Sequence, residues 1–262
     1  VDSPPADPSL PPAGKRRTLP VLGTPIDAID AALAVARMAG WARKNESRCV
    51  CICNVHSVVT ATQNSDFRRA LAQADMATPD GAPVAWMLRR AGVTGQRRVS
   101  GPDLMLDYCA HAAASGEGIY LYGSTEATLA ALAQRLRQRW PALRIAGMHA
   151  PPFRPATAAE DAADVQRIND SGAGTVWVSL GCPKQELWMA AHRGRVQAVM
   201  VGVGAAFDFH AGTVVRAPRW MQEHGLEWLH RLLSEPRRLW RRYLVTNTLF
   251  VFAAARQLLT GR

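Results

Sequence analysis

Lysine is nearly missing from this chain: three (Lys15, Lys44, Lys184) stand against 28 arginines, which with 21 acidic residues leave a net charge of +10 over 262 residues. The planar guanidinium fork meets phosphate at two points, so an arginine excess suits phosphate ligands, nucleic acid or anionic lipid. Codon use in a GC-rich genome accounts for the bias equally well, and placement has to decide. Cysteine is sparse, with five residues (Cys49, Cys51, Cys53, Cys109, Cys182). The odd number argues against a disulfide framework, and Cys49-x-Cys51-x-Cys53 is strand alternation rather than zinc-ligand spacing, so a reducing cytosol is expected.

Several motifs are lacking as well. Without a Gly-x-x-x-x-Gly-Lys-Ser/Thr loop, a Gly-x-Ser-x-Gly elbow or a His-Glu-x-x-His pair, the P-loop ATPases, α/β-hydrolases and zincins are disfavoured. Asp-x-Asp, which many sugar-nucleotide enzymes use to hold a metal on a diphosphate, occurs nowhere. Protein cations would then have to neutralise any diphosphate, and no metal or other cofactor is expected. A long apolar run is missing too: residues 243–259 number only 17 and include Thr246, Asn247, Thr248, Arg256 and Gln257, which favours peripheral attachment over spanning.

What is present is a regular alternation. Apolar runs at 49–54, 75–78, 118–122, 144–148, 175–180 and 198–203 read as strands. Helical periodicity covers 26–44, 56–73, 102–114, 126–140, 159–170 and 185–192. This predicts an α/β fold, Rossmann-like, with a mostly parallel sheet and helices on both faces. Residues 1–18, rich in proline, read as a disordered leader and 19–215 as the α/β domain. Residues 216–262 read as a basic helical appendage, with nine Arg and no Lys against three Glu. Trp220, Trp228, Trp240, Tyr243, Phe250 and Phe252 are interleaved with those charges, as suits a helix at a headgroup boundary.

In such a fold ligands sit beyond the carboxyl ends of the strands, where loops open into helix N-termini. Those loops carry Asn54-Val55-His56-Ser57, Pro79-Asp80-Gly81, Gly123-Ser124-Thr125, Gly181-Cys182-Pro183-Lys184 and Gly204-Ala205-Ala206-Phe207-Asp208. Asp80 stands where a general base belongs, although Pro-Asp-Gly is also a common turn. Arg97 and Arg98 precede a helix start, a phosphate site by charge and dipole, or a solvated loop whose Ser100 or Asp103 caps the helix. His56 and Ser57 read as a relay or as a helix N-terminus. Gln185 could reach a ligand while Glu186 complements a helix dipole, or both could serve as caps. Gly202-Val203-Gly204-Ala205-Ala206 begins like a dinucleotide loop, but Phe207 occupies the third small position and Asp208 follows before any helix is expected.

Seven blocks in chain order resemble the WecG/TagA/CpsF family of bacterial glycosyltransferases. They are Asn54; Ala74-Asp75 leading to Pro79-Asp80-Gly81; Arg98-Val99-Ser100-Gly101-Pro102-Asp103-Leu104; and Gly181-Cys182-Pro183-Lys184-Gln185-Glu186-Leu187-Trp188. The others are Gly202-Val203-Gly204-Ala205-Ala206-Phe207-Asp208, Arg216-Ala217-Pro218, and the stretch from Gly225-Leu226-Glu227-Trp228 to Glu235-Pro236-Arg237-Arg238. The resemblance implies an inverting, metal-independent transferase that moves a sugar from a UDP-sugar to a polyprenyl-diphosphate-linked sugar. It would act at the cytoplasmic face of the inner membrane, bound peripherally to the anionic surface.

It further implies Asp80 as base, with Asn54 and Arg98 at the reacting centre. The Gln of the family's Pro-Lys-Gln-Glu block falls on Gln185, and His56, Ser57, Gly123 and Lys184, which stand in the strand-end loops, are expected to bind substrate beside it. An appendage that closes over the site would bring Arg231, Arg237, Arg238 and Arg241 to the diphosphate. Ile52 stands where many members have Thr, so that hydroxyl contact would be missing or supplied by Ser57. The blocks are most similar to exopolysaccharide-pathway members of xanthan and acetan type, which implies β-1,4 transfer of glucose. N-acetylmannosamine and N-acetylmannosaminuronic acid donors, as in teichoic-acid and common-antigen synthesis, are the alternatives. A non-catalytic UDP-sugar-binding membrane scaffold is an alternative of another class. A nucleic-acid partner is disfavoured because such a protein has no need of Asp80, Asn54 and Gln185 in one pocket, and a homo-oligomer stays open.

Overall fold

The computed structural model describes residues 16–260, and of Arg238 and Arg242 only the backbone. A hairpin of β1 (Thr18–Val21) and β2 (Thr24–Asp27) leads into α1 (Ala31–Ala42) and β3 (Arg48–Cys53). Next come α2 (Val55–Gln63), α3 (Ser65–Gln73), β4 (Met76–Pro79), α4 (Ala82–Arg90), α5 (Gly101–Ser115) and β5 (Gly118–Gly123). They are followed by α6 (Glu126–Arg139), β6 (Arg144–His149), α7 (Ala158–Asp170), β7 (Thr175–Ser179), α8 (Lys184–His192), β8 (Val199–Gly202) and α9 (Ala206–Ala211). Three helices complete the described chain: α10 (Arg219–Glu223), α11 (Glu227–Ser234) and α12 (Pro236–Thr260).

The six strands β3 to β8 form one sheet in the order β4-β3-β8-β7-β5-β6, every pair parallel. Period-two alternation sorts their side chains between two cores. Val50, Ile52, Ile119, Leu121, Trp177, Val199 and Val201 face the core under α1, α5, α6 and α9. Cys49, Cys51, Cys53, Tyr120, Tyr122, Val176, Val178 and Met200 face the other, with side chains of α2, α3, α4 and α8. The three clustered cysteines thus share one sheet face as buried apolar groups, and none of the five cysteines forms a disulfide. Helices cover both faces, as the sequence pattern predicts.

Local chemistry moves several boundaries. Residues 26 and 27, expected in a helix, belong to β2, because the buried Asp27 accepts from Arg16 Nε (2.9 Å) and from the Ala77 N–H at 2.7 Å and so ties the hairpin to β4. Asp30 then caps α1, accepting from the Leu33 N–H at 2.7 Å. The expected helix over 56–73 is two helices, since Asn64 ends α2 in an extended conformation and its side chain accepts from the Phe67 N–H (2.9 Å) to start α3. α4 and α9 were not anticipated, and Asp208 lies inside α9 rather than ahead of any helix. Arg16 and Thr18, assigned to the leader from sequence, are part of the fold; residues 1–15 lie outside the described residues.

Beyond Arg216 the described segment is helical. None of the described helices is long and apolar enough to cross a membrane. α12 buries Leu239, Thr246, Phe250 and Ala254, spaced to share a face, and packs on α2. Gln257 near its end accepts from the Leu22 N–H (2.9 Å) and donates to the Pro20 carbonyl (2.7 Å), fastening the helix to the hairpin. The opposite face exposes Trp240, Leu244, Val251, Phe252 and Leu258 beside the exposed Arg237, Arg241 and Arg256.

Two residues on this helix separate its roles. Phe250 is 6% exposed and Phe252 is 71% exposed. Phe250→Ala is expected to lower stability by about 3 kcal/mol in urea denaturation, as for other buried aromatics, and Phe252→Ala by less than about 0.5 kcal/mol. Equal losses would contradict the assigned faces.

Candidate functional site

The carboxyl edge of the sheet is assembled by backbone bonds between neighbouring strand ends. The Asp80 N–H donates to the Cys53 carbonyl (2.9 Å) and the Val99 N–H to the Pro79 carbonyl (2.8 Å). Asn54, Asp80 and Arg98 are thereby carried on three adjoining chain segments. Gly81 adopts φ +81°, a left-handed conformation that turns the chain straight from Asp80 into α4, and Pro83 sits in that helix's first turn.

Burial and the nearby Glu227 carboxylate push the Asp80 carboxyl up to about 6, although Arg98, the Gly81 N–H and Arg216 act in the opposite sense. Such a group is ionised at neutral pH yet more basic than an ordinary carboxylate, which is what a general base requires. Arg98 donates to Glu227 Oε2 (2.8 Å) and to Gln222 Oε1 (3.3 Å). Arg216 donates to Glu227 Oε1 (3.1 Å) and, through both terminal nitrogens, to Asp103 (2.5 and 2.9 Å). Burial acts to raise the Asp103 carboxyl, but Arg216, the Ser100 hydroxyl and Arg98 outweigh it and hold it at about 2. Arg216 itself is shifted upward, the two carboxylates outweighing burial. Ser100 is not a side-chain cap; its hydroxyl donates to Asp103 at 2.5 Å.

α11 lies across this edge. Gly225 just before it packs so closely on α4 that a Cβ there would come within 2.8 Å of Ala82 Cβ. Glu227 and Arg231, four residues apart, share a helix face. The Arg231 guanidinium stands 5.5 Å above the Phe209 ring of α9, with its Nε buried and unpartnered among the described residues. The segment after 216, expected as a separate appendage, therefore forms one wall of the site.

The other expected residues fall into distinct settings. Asn54 is the N-cap of α2: its Oδ1 accepts from the Ser57 N–H (3.2 Å) and hydroxyl (3.4 Å), while its NH₂ takes no part in these bonds. Ser57 is buried and its hydroxyl is turned to Asn54. Ile52 packs against the start of α5, its Cγ2 3.6 Å from where a Cβ of Gly101 would stand. His56 is half-buried, with Nδ1 3.5 Å from the Thr60 hydroxyl. Gly123 lies at the end of β5 with φ +110°, where a Cβ would sit 2.4 Å from the Ser179 carbonyl oxygen.

Gln185 is buried, donating to Glu186 Oε1 (2.9 Å). Gly202 leaves room for it, since a Cβ there would lie 3.0 Å from Gln185 Nε2. Glu186 is no surface partner of a helix dipole: burial pushes its carboxyl up to about 7 against the bonds from Gln185 and Cys182. Gln185 Oε1 and Glu186 Oε2 are buried without a partner among the described residues, so the floor beneath β8 keeps hydrogen-bonding capacity for a polar ligand. Lys184 is exposed at the start of α8, and Arg237 and Arg241 are exposed in the first turns of α12, where Arg238 also lies.

Arg216, Glu227 and Asp103 are the members that sequence reasoning did not assign to the site. Each lay inside a recognised block, but the bonds from Arg216 to Asp103 and from Arg98 to Glu227 join positions 113 and 129 residues apart. Among the described residues no group of three or more His, Cys, Asp or Glu side chains is arranged to hold a metal ion.

Gly123→Ala would place a methyl group against backbone in a left-handed conformation. It is expected to lower stability by about 2–4 kcal/mol in thermal or urea unfolding. A neutral result would mean that the β5–β7 edge is looser than its geometry indicates.

The family model described as Glycosyl transferase WecG/TagA/CpsF family matches residues 19–262, nearly the whole chain.

Proposed function

Because the chain belongs to the WecG/TagA/CpsF glycosyltransferase family, we propose that it moves a hexose from a UDP-sugar to a sugar carried on polyprenyl diphosphate, with inversion and without a metal ion. Glucose in β-1,4 linkage is the first transfer to assay, a choice that rests on the likeness of the sequence blocks to exopolysaccharide-pathway members. The observation that carries the reading is Asp80, a carboxylate at the end of a parallel strand with its basicity raised to about 6 and arginines beside it.

In this reading Asp80 takes the proton of the acceptor hydroxyl as that oxygen attacks the anomeric carbon. The bond from the anomeric carbon to the β-phosphate oxygen breaks, and its electron pair leaves with UDP. Arg98 and Arg216, with Arg231 one turn from Glu227, supply positive charge where negative charge grows on the diphosphate. The buried amide of Gln185 offers an acceptor to the nucleotide or sugar.

The exposed apolar and basic face of α12 supports attachment to an anionic bilayer, with aromatic rings at headgroup depth and arginines reaching phosphate. In this reading the acceptor lipid is delivered from the same surface, at the cytoplasmic face.

UDP release, measured in EDTA with a panel of UDP-sugars with and without a synthetic glucosyl-diphospholipid, is expected to depend on acceptor and to be greatest with UDP-glucose. Asp80→Asn should lower kcat by about 10²- to 10⁴-fold while UDP binding, titrated calorimetrically, stays unchanged. Wild-type turnover in that variant would remove Asp80 as base. On anionic vesicles, the Trp240→Ser, Phe252→Ser double variant should lose sedimentation with lipid at an unaltered Tm; retained binding would place the membrane face elsewhere.

A further inference from the structure

Glu227 accepts hydrogen bonds from both Arg98 and Arg216. Its two oxygens are divided between them, at 2.8 Å to Arg98 Nη1 and 3.1 Å to Arg216 Nε. The three side chains are largely buried, with exposures of 20% for Glu227, 22% for Arg98 and 18% for Arg216. They come from three separate segments: the approach to α5, the approach to α10, and the first turn of α11. The close seat of Gly225 on Ala82 fixes where that turn begins, and Asp103 accepts from both terminal nitrogens of Arg216, one of which also reaches the Ser100 hydroxyl at 3.4 Å. Asp103 stands by both guanidinium groups too, but it reaches Arg98 only at 4.0 Å, so that among the described hydrogen bonds of this edge those to Glu227 are the ones that join the pair.

We infer that Glu227 is a positioning residue for the transfer reaction, holding Arg98 and Arg216 as one cationic pair beside Asp80, so that the docking of α11 and the completion of the base's surroundings are a single event. The inference rests on Asp80 being the base. Glu227 acts on Asp80 in two ways. It fixes the cations that favour the ionised carboxylate, and its own negative charge opposes that ionisation and keeps the carboxylate basic.

The charged and titratable groups facing Asp80 are Glu227 from α11, Arg98 from the segment before α5 and Arg216 from the segment before α10. From β3 comes the Cys53 thiol, which burial pushes well up and so keeps uncharged at neutral pH. Of these, only Glu227 is both a like charge and part of the C-terminal segment. A latch that merely held α11 in place would alter stability and rate without moving the titration of Asp80.

The test uses the full chain as wild type, Glu227→Gln, Glu227→Asp and Asp80→Asn, each checked by circular dichroism and Tm. The Asp80 carboxyl is titrated by its carbon-13 shift, assigned by its loss in Asp80→Asn, and kcat is measured alongside. The wild-type midpoint is expected near 6. Glu227→Gln, which keeps the shape and removes the charge, should lower the midpoint by about one pH unit and kcat by about ten- to a hundred-fold. Glu227→Asp, which keeps the charge and shortens the reach, should hold the midpoint near that of the wild type while kcat falls.

A wild-type midpoint near that of an ordinary carboxylate overturns the inference whether or not the variants fold. So does the same midpoint in Glu227→Gln as in the wild type. If the midpoint is unmoved while Asp80→Asn is inactive, the positioning role alone is lost and the base assignment stands. If Asp80→Asn turns over like the wild type, the base assignment falls and the positioning role with it.

Discussion

The carboxyl edge of the sheet is governed by the need to hold a half-desolvated carboxylate among cations without neutralising it. A guanidinium group bonded directly to Asp80 would depress its basicity; here Arg98 and Arg216 are instead engaged by Glu227 and Asp103, and they act on Asp80 only through their charge. Much else in the C-terminal quarter follows from that arrangement. Gly225 must lack a side chain so that α11 can approach α4, Arg231 lies over Phe209 on the same helix face as Glu227, and α12 continues into a seat on α2. The helical segment and the α/β body share a single electrostatic centre.

The opposite side of the edge is built on close backbone approach instead of charge. Gly123 faces the Ser179 carbonyl at a distance no side chain allows, and Gly202 admits the buried Gln185 beside Met189. In a parallel sheet covered on both faces, the strand ends are where such approaches converge, because the helices leave the edge itself open. Glycine and arginine divide the rim between them, glycine giving room on the β5–β7–β8 side and arginine giving charge on the β4 side.

Most of the sheet was legible in the sequence, because β-strand alternation is local: Cys49, Cys51 and Cys53 on one face and Val50 and Ile52 on the other need no partner to be read. The hairpin of β1 and β2 was not, because Pro20 and Pro25 disguise two short strands, and the buried Asp27 that secures them finds Arg16, Arg37 and Ala77 only in three dimensions. The break at Asn64 was missed because helical periodicity runs on through it, while a single side-chain bond to Phe67 decides the outcome. For the site, Asp80 and Arg98 could be picked out by residue type and strand-end position. Glu227 could not, since its significance lies in which two arginines it meets, a fact that no spacing encodes. Gln185 and Glu186, read as ligand contact or cap, turn out to be buried beneath β8, where burial rather than helix-end chemistry sets their character.

The bonds from Gln257 to Leu22 and Pro20 join residues more than two hundred positions apart, and they bear on the order in which the fold can close. As the chain is made, the hairpin and α2 emerge well before α12, and the apolar groove that Phe250 and Ala254 fill has no cover until the whole α/β body has been synthesised. Contacts of such span form slowly because loop closure precedes any gain from burial. The nascent protein therefore carries an open apolar flank until α12 appears. Loss of even the final few turns of α12 would leave the hairpin untied and that flank exposed to its neighbours, a route to aggregation in which a defect in one helix uncovers a surface built from residues about two hundred positions earlier.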